Sequence, residues 1–513
     1  PYERMALLLL SIALSGRFEI WHNVFWSAPL SLLGGLPTDG DEHHAIDNTF
    51  LAVPMNKGLL GAILVAAVFL LLLWRLAKKH RSTEVICLAA LTLYLFMENK
   101  PFLLSANPFL LMLPVCIKPG VRLHYVDALF TSTSAVCVTG LIAVDTADTY
   151  TALGQTVVAL LIQIGGLGVT SVGVGVILAL GKRVNLKERL LVKEALNLDS
   201  GRGIVCLVRN VLITTLCFEG VGAVLSFLVF SRDYPPLKAV GISLFHSVAA
   251  FNNSGFDILG GLKNLTGYQD NVLLNLTTAG LIIFGGLGFL VIMDLIKNRS
   301  FKKLCLHSKA VIVTTLILLA SGTVLIWLTE DITWLGAFFT SVSARTAGFS
   351  TFPLGEFTSA GLLSVSVLMF IGASPGSTGG GIKTSTLFTL FHTIKGAACN
   401  EEPHAFHYRI PQEAFYKAAI VTALSALVVC LGTFFMCILE PGIPFEDILF
   451  EITSAFGTVG LSTGITPGLS SLSKLLEVLV MYIGRLGPLT IVTIWVFKPT
   501  KSVSYAEGSI SIG

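Results

Sequence analysis

The chain contains four related stretches, Phe130-TSTSAVCVT-Gly140, Phe245-HSVAAFNNS-Gly255, Phe338-FTSVSARTA-Gly348 and Phe450-EITSAFGTV-Gly460. In each of them a phenylalanine precedes a glycine by ten residues, and a leucine or phenylalanine follows the glycine. Each stretch is apolar but too short to cross a bilayer, which takes about 20 apolar residues in a helix. The pattern therefore predicts a short helix that enters the membrane and turns back at the glycine.

A second glycine signal follows each of these stretches. It reads Gly165-Gly-Leu-Gly168, Gly285-Gly-Leu-Gly288, a single Gly372, and Gly484-Arg-Leu-Gly487. The spacing between successive turns leaves room for one returning helix, a loop and one incoming helix. The repeating unit is thus a helix, a re-entrant half-helix, a glycine turn and a second helix, used four times.

The composition excludes several classes of protein. Of the 513 residues, 53% are hydrophobic and only 13% are charged, against about 25% charged residues in soluble domains. So few charges cannot cover a soluble enzyme of this size. The net charge of +3 is too small to indicate a nucleic-acid partner. The nine cysteines follow no disulfide or zinc spacing. The chain is predicted to be an all-α polytopic membrane protein.

Ten apolar runs are candidate membrane helices, and the basic loops orient them. They are an N-terminal run and the runs near 57–77, 86–114, 155–180, 211–230, 271–296, 310–328, 358–394, 417–439 and 473–497. Lys and Arg gather after 57–77, between 182 and 209, between 297 and 309, and at the C-terminus. Because cytoplasmic loops carry an excess of Lys and Arg, we expect these loops and the C-terminus to be cytoplasmic, and the four glycine turns to open outward.

These signals divide the chain into five parts. The predicted parts are an N-terminal transmembrane helix pair at 1–83, repeat 1 at 84–182 with its turn at 137–141, repeat 2 at 183–297 with its turn at 252–256, repeat 3 at 298–396 with its turn at 345–349, and repeat 4 at 397–513 with its turn at 457–461. We expect the four membrane–pore–membrane repeats to form a pseudo-fourfold array.

Four glycine turns at one depth need a physical reason. Irregular backbone inside a membrane is tolerated only where protein buries it or where it lines a watery cavity. A ring of four turns would place backbone carbonyls around a central pore, which is how K⁺ is coordinated without fixed charges. The short helices would also point their partially negative C-terminal ends at this axis. For a single motif, close helix packing by small residues is the simpler explanation; four copies on one side favour the pore.

The run 358–394 is interrupted by a polar loop. Its residues Gly376-Ser377-Thr378-Gly379-Gly380-Gly381-Ile382-Lys383 follow Pro375, and neither the proline nor the glycines continue a helix. The loop approaches the phosphate-binding pattern GxxxxGK[ST] but has an inserted Ile382 and lies between apolar helices, so we do not expect nucleotide there. A loop on the cytoplasmic half of a pore predicts a gate.

Three positively charged side chains lie near these turns, where an apolar environment requires hydrogen-bond or ion-pair partners for them. Lys383 either faces the pore and repels K⁺ or extends along the apolar surface to the cytoplasmic interface. Arg485 lies in an apolar run, where a charge is costly, and we expect it to bind carbonyls of the 372–381 segment and latch the gate. Arg345, three residues before Gly348, is expected to brace its turn through carbonyls or through a carboxylate such as Glu451.

Taken together, these motifs resemble the Trk/Ktr/HKT superfamily of potassium transporters, whose bacterial membrane subunits are TrkH and KtrB. The matching segments are SAVCVTGL at 134–141, FNNSGF at 251–256, ARTAGFS at 344–350, FGTVGLS at 456–462, GSTGGGIK at 376–383 and YIGRLGP at 482–488. The apolar pair before residue 84 resembles the TrkH arrangement, whereas SAVCVTGL resembles KtrB, and the branch stays open.

The resemblance implies a K⁺ selectivity filter. Its residues are Val138, Thr139, Gly140, Asn253, Ser254, Gly255, Thr346, Ala347, Gly348, Thr458, Val459 and Gly460. Members with glycine at the first filter position conduct K⁺, whereas many with serine prefer Na⁺, so Gly140 favours K⁺.

The resemblance also implies how the protein works and with which partners. It implies a homodimer in a bacterial-type cytoplasmic membrane, bound to a cytosolic ring of nucleotide-binding regulatory subunits similar to TrkA or KtrA. The chain itself has no nucleotide-binding fingerprint, so we expect no bound organic cofactor. It has no Ser/His/Asp order, no HExxH and no paired catalytic carboxylates, so we expect no enzymatic activity. The function indicated is K⁺ uptake through a gated, channel-like pore. The alternatives are a symporter of the same fold that couples K⁺ to Na⁺ or H⁺, and the ion-conducting subunit of a pump complex.

Overall fold

The computed structural model describes residues 108–168 and 204–490, with residues 171, 172 and 174 between them. This part of the chain is mostly helical. In chain order its elements are α1 (Pro108–Leu111), α2 (Tyr125–Cys137), α3 (Thr146–Thr149), α4 (Ala152–Leu167), α5 (Ile204–Phe230), α6 (Pro236–Phe251), α7 (Val272–Leu287), α8 (Phe289–Asn298), α9 (Leu306–Thr329), α10 (Trp334–Ser343), α11 (Ser359–Phe370), α12 (Thr384–Cys399), β1 (His404–Ala405), β2 (Tyr408–Arg409), α13 (Gln412–Leu439), α14 (Phe445–Gly457) and α15 (Ser471–Leu486).

Three helices in the described residues are long and apolar enough to cross a membrane. They are α5, α9 and α13, with 27, 24 and 28 residues, and a bent pair of α7 and α8 passes the same test. At 1.5 Å per residue, helices of this length extend roughly 36–42 Å, more than the hydrocarbon core of about 30 Å. Their outer faces expose large apolar side chains such as Leu216, Leu316 and Phe434, which suits contact with lipid.

Four shorter helices, α2, α6, α10 and α14, carry the repeated motif, and we call them the turn helices. They have 10 to 16 residues, too few to span a bilayer, as the sequence predicts. Three of them pack against the long helix that precedes them: α6 on α5, α10 on α9, and α14 on α13. The motif phenylalanines Phe130 and Phe450 are fully buried, but in α10 the fully buried ring belongs to Phe339 rather than to Phe338.

The helices that follow the turns end earlier than the apolar runs predict. The apolar runs 155–180, 271–296 and 473–497 predict continuous helices, but α4, α7 and α15 each end one residue before a glycine of the second motif. These glycines, Gly168, Gly288 and Gly487, have φ between +81° and +89°, which an L-residue in a helix cannot adopt. After Gly288 the chain turns by 96° into α8. The break expected only in the third repeat therefore has counterparts in the other three.

Several predicted features lie outside the described residues. These are the N-terminal helix pair at 1–83, most of the run 86–114, the basic loop at 182–202, and the residues after 490.

The loop after α12 folds into the antiparallel hairpin β1–β2, in which His404 pairs with Arg409.

Candidate functional site

The four predicted turns adopt the same backbone conformation. Two residues before each glycine, the chain enters the left-handed region, with φ of +58° at Val138 and Asn253, +71° at Thr346 and +49° at Thr458. Each of the four glycines also has positive φ. A β-branched side chain at positive φ is an unusual, strained conformation, and such strain persists where the surrounding structure enforces it. All four of these residues are completely buried.

The four turn glycines lie against one another in a closed ring. A Cβ added to any one of them would fall less than 3.0 Å from a backbone oxygen of the next turn. Gly140 faces Ser254, Gly255 faces Ala347, Gly348 faces Val459, and Gly460 faces Thr139. The contacts thus run from the first turn to the second, third and fourth and back to the first. The tertiary structure thus brings the four predicted filter segments together, and the backbones of the glycines and of the residues before them are in contact.

Hydrogen bonds to the preceding turn helix fix each turn. The residue before the glycine donates its N–H to a carbonyl near the helix end, as in Thr139 to Ser134 O (2.8 Å) and Val459 to Ser454 O (2.9 Å). In the first and fourth turns, the same serines also accept from the glycine N–H at 3.0 Å. Sequence reasoning missed these serines, although both stand six residues before a glycine in the repeated motif.

The second glycine motif lets the returning helices approach the turns. A Cβ on Gly165, Gly285 or Gly484 would collide with a carbonyl at the end of the turn helix in the same repeat. The carbonyls belong to Val136, Phe251 and Phe456, each two residues before the left-handed position. These glycines therefore set the packing distance behind the turns.

The segment 371–383, between α11 and α12, lies directly against the ring of turns. The Gly380 N–H donates to Thr458 Oγ1 (2.9 Å), and a side chain on Gly379 would collide with Thr346. On its other side, the Ser374 N–H donates to Gly286 O (3.1 Å). The predicted gate loop thus contacts the turns of repeats 3 and 4 and the returning helix of repeat 2.

Two cations bind carbonyls of this loop. Arg485, in α15, donates from Nη1 to Thr378 O and from Nη2 to Gly165 O (2.5 Å), so the carbonyl contact predicted for it is present. Lys383 Nζ donates to Gly379 O (2.7 Å) and lies 3.4 Å from Gly380 O. The ammonium group is therefore held by carbonyls of the loop itself.

The expected partners of Arg345 are not observed. Arg345 is 6% exposed, and within the described residues its side chain makes no hydrogen bond or ion pair; its Nε is buried without a partner. Glu451 instead accepts a hydrogen bond from Thr466 Oγ1. Arg345 follows α10 and Glu451 lies in α14, in different repeats, so only helix packing decides whether the two side chains meet, and the local sequence does not determine that packing. Within the described residues, a largely buried ion pair joins Lys474 and Asp127 at 2.8 Å.

A cavity of about 470 Å³ lies on the side of the ring opposite the loop. Gly140, Gly348 and Gly460 form part of its lining, together with Asp257 and Asn264. The ring glycines lie along this cavity, whereas the loop contacts Thr346 and Thr458, two residues earlier in their turns, so the turns lie between the cavity and the loop. Within the described residues no group of three or more His, Cys, Asp or Glu side chains could hold a metal ion. Backbone carbonyls are therefore the candidate ligands for an ion here.

Comparison with known proteins gives consistent matches. A family model described as TrkH, cation transport protein, matches residues 105–505. The Ktr system potassium uptake protein B of Bacillus subtilis (strain 168) is 37% identical over 419 residues, which cover 79% of this chain and 93% of that protein. The potassium/sodium uptake protein NtpJ of Enterococcus hirae is 37% identical over 425 residues, with the same shares covered. The crystal structure of the potassium transporter TrkH from Vibrio parahaemolyticus matches with a TM-score of 0.60 at 18% identity, covering 84% of this chain and 96% of that chain.

Proposed function

This chain belongs to the TrkH family of cation transport proteins, and on that premise we propose that it takes up potassium ions across the cytoplasmic membrane. Its curated relatives at 37% identity are named potassium and potassium/sodium uptake proteins. The matched region contains all four turns and the loop beneath them. The family is one of transporters, which agrees with the expectation that the chain is not an enzyme.

The closed ring of turn glycines is the observation that carries the mechanism we propose. Carbonyl oxygens on such a ring replace the water around K⁺, and their number and field strength favour one cation over another. The filter consists of the residue triplets that end at Gly140, Gly255, Gly348 and Gly460. The bonds from each turn helix hold this strained backbone in place, so that the oxygens are preorganised for the ion.

The segment 371–383 acts as the gate in this proposal. It lies against the inner side of the filter, and its hydrogen bonds to Arg485 and Thr458 tie it there. Opening requires these bonds to be exchanged for others while the loop moves aside. Its glycines and the absence of helical structure allow such a movement without unfolding a packed element.

We further propose the arrangement that the sequence predicts around this pore. Four membrane–pore–membrane repeats and the N-terminal helix pair form the subunit, two subunits form a homodimer, and the C-terminus is cytoplasmic. A cytosolic nucleotide-binding ring supplies the regulation, since no nucleotide site is expected on this chain. Uptake is passive and is driven by the membrane potential.

The test of the filter is ⁸⁶Rb⁺ uptake into proteoliposomes that contain the full chain, with and without a regulatory ring, in competition with K⁺ and Na⁺. We expect K⁺ to block uptake and Na⁺ to block it weakly, and Gly140→Ser to weaken that preference. Equal block by both ions, or no uptake with the ring present, contradicts the proposal. Uptake that requires a Na⁺ or proton gradient would identify a symporter instead of a passive pore.

The test of the gate is Arg485→Gln in the same assay without the regulatory ring. Glutamine cannot bind Thr378 and Gly165 together, so we expect the basal Rb⁺ uptake to rise. Arg485→Lys is the matched control, because it keeps the charge but forms fewer hydrogen bonds, and it should lie between wild type and Arg485→Gln. Unchanged basal uptake in both variants contradicts a latch at this residue.

A further inference from the structure

One side chain outside the ring bonds directly to a filter carbonyl. Asn264 belongs to the loop between α6 and α7, has φ of +49° and lines the outer cavity. Its Nδ2 donates to the carbonyl oxygen of Gly255 at 3.1 Å. The side chain of Asn264 thus contacts the backbone of Gly255, nine positions earlier in the chain.

The other end of the amide fixes its orientation. Asn264 Oδ1 accepts from the N–H of Leu265 (2.9 Å) and from the N–H of Ser350 (3.3 Å). Two donors therefore face the oxygen and one acceptor faces the nitrogen, which assigns the two ends of the amide. Ser350 follows the third turn, and its carbonyl accepts the Leu265 N–H at 3.0 Å. Asn264 therefore ties the carbonyl of the second turn to the backbone beyond the third.

This contact makes the ring asymmetric. Within the described residues no hydrogen bond reaches the carbonyl oxygens of Gly140, Gly348 or Gly460, whereas Gly255 O is held by an amide. A held carbonyl cannot turn toward a smaller ion without breaking its hydrogen bond. The other three carbonyls lack this restraint.

We propose that Asn264 is a positioning residue for ion specificity, which holds the Gly255 carbonyl outward and so disfavours Na⁺ relative to K⁺. This inference rests on the proposed function, because it assigns Gly255 to the filter. Selectivity in carbonyl-lined filters depends on the number and field strength of the coordinating dipoles. Fixing one of four oxygens limits how closely the ring can contract around the smaller cation.

The decisive variant is Asn264→Asp. It keeps the shape and the oxygen that accepts from Leu265 and Ser350, but it loses the N–H donor to Gly255. Asn271→Asp is the control for charge, because it adds the same charge in the same loop. The side chain of Asn271 accepts one hydrogen bond, from the Leu274 N–H at 3.0 Å, and an aspartate accepts it equally well. A change common to both aspartate variants reports surface charge. A change shared by Asn264→Asp and the neutral Asn264→Ala, and absent from Asn271→Asp, reports the lost donor.

The readout is the ratio of Na⁺ to K⁺ inhibition constants for ⁸⁶Rb⁺ uptake by the full chain in proteoliposomes. We expect Asn264→Asp and Asn264→Ala to strengthen Na⁺ inhibition relative to K⁺ by about fivefold, the equivalent of one ordinary hydrogen bond, and Asn271→Asp to leave the ratio unchanged. A wild-type ratio in Asn264→Asp overturns the inference.

Two further observations separate the possible failures. If the wild type itself does not prefer K⁺ to Na⁺, the proposed function fails before Asn264 is tested. If a variant is inactive, the shifts in Tm caused by K⁺ and Na⁺ in detergent report ion binding without transport. A larger Na⁺ shift relative to K⁺ than in wild type supports the inference, and an unchanged ratio of the two shifts contradicts it.

Discussion

Gly140→Ala tests whether the close contact between turns controls ion passage. Gly140 has φ of +93°, and an alanine Cβ built on this backbone falls 2.0 Å from the carbonyl oxygen of Ser254. Because real Cβ atoms keep at least 3.0 Å from other heavy atoms, the two turns must separate by about 1 Å, the difference of these two distances. Moving a positioned group by that distance is enough to disturb its function.

A control variant separates the two contributions to the loss of stability in Gly140→Ala, the strained backbone and the collision with Ser254. Positive φ costs an L-residue roughly 1–2 kcal/mol, and forcing extra atoms into a packed site adds about 1–3 kcal/mol. Gly120 has a similar φ of +86° but nothing within 4 Å of its added Cβ. Gly120→Ala therefore carries only the first cost, and Gly140→Ala carries both, about 2–5 kcal/mol in total.

The assay combines thermal unfolding in detergent with ⁸⁶Rb⁺ uptake under Na⁺ and K⁺ competition. We expect Gly140→Ala to have a lower Tm than Gly120→Ala and to lose the preference for K⁺, while Gly120→Ala keeps it. If Gly140→Ala and Gly120→Ala unfold at the same temperature and show the same ion preference, the close contact between the first and second turns controls neither stability nor ion selection.

Three further predictions concern polar groups on the turn helices and their neighbours. Lys474→Met should destabilise the protein by at most about 3–5 kcal/mol, because it leaves the carboxylate of Asp127, whose side chain is 14% exposed, without its partner. Adding Asp127→Asn should recover part of the Tm; additive losses in the double variant would contradict this. Ser454→Ala removes the acceptor of the fourth turn's glycine N–H and should cost about 1–3 kcal/mol and reduce the K⁺ preference in uptake, whereas an unchanged preference would assign the serine to stability alone. Glu219→Leu removes the carboxylate that accepts a hydrogen bond from Asn252 Nδ2 at 3.0 Å. We expect a lower Tm, although Asn252 keeps its hydrogen bond to Gln163. An unaltered Tm would argue against a structural role for Glu219.

Much of the site could be predicted from the sequence, because its signals are local. Gly140, Gly255, Gly348 and Gly460 stand at one spacing from a phenylalanine, and a glycine turn after a short apolar helix needs no knowledge of the rest of the chain. The polar interruption at 376–383 and the charged Arg485 within an apolar run are equally visible. The expected break between α11 and α12 and the carbonyl partner of Arg485 are both present in the structure.

Other features depend on contacts between repeats, and the sequence did not disclose them. Val138, Thr346 and Thr458 adopt left-handed conformations that their branched side chains disfavour, so local preference points away from the observed backbone. The breaks after α4, α7 and α15 lie in apolar runs that look continuous. The sequence suggests Glu451 as a partner for Arg345, but the packing does not bring the two side chains together. Asn264 lies in a loop that carries none of the repeated motifs.

The sequence alone determined the membrane environment, the four turns and the family resemblance, because hydrophobic run length and glycine spacing are properties of neighbouring residues. Only the tertiary structure decided that the turns close into one ring, that residues 371–383 lie against it, and that Asn264 holds one of its carbonyls. Most of these contacts join residues far apart in the chain, and even the one between Asn264 and Gly255, nine positions apart, depends on how the loop folds back over the ring. Their geometry follows from how whole helices and loops pack, which no local pattern encodes.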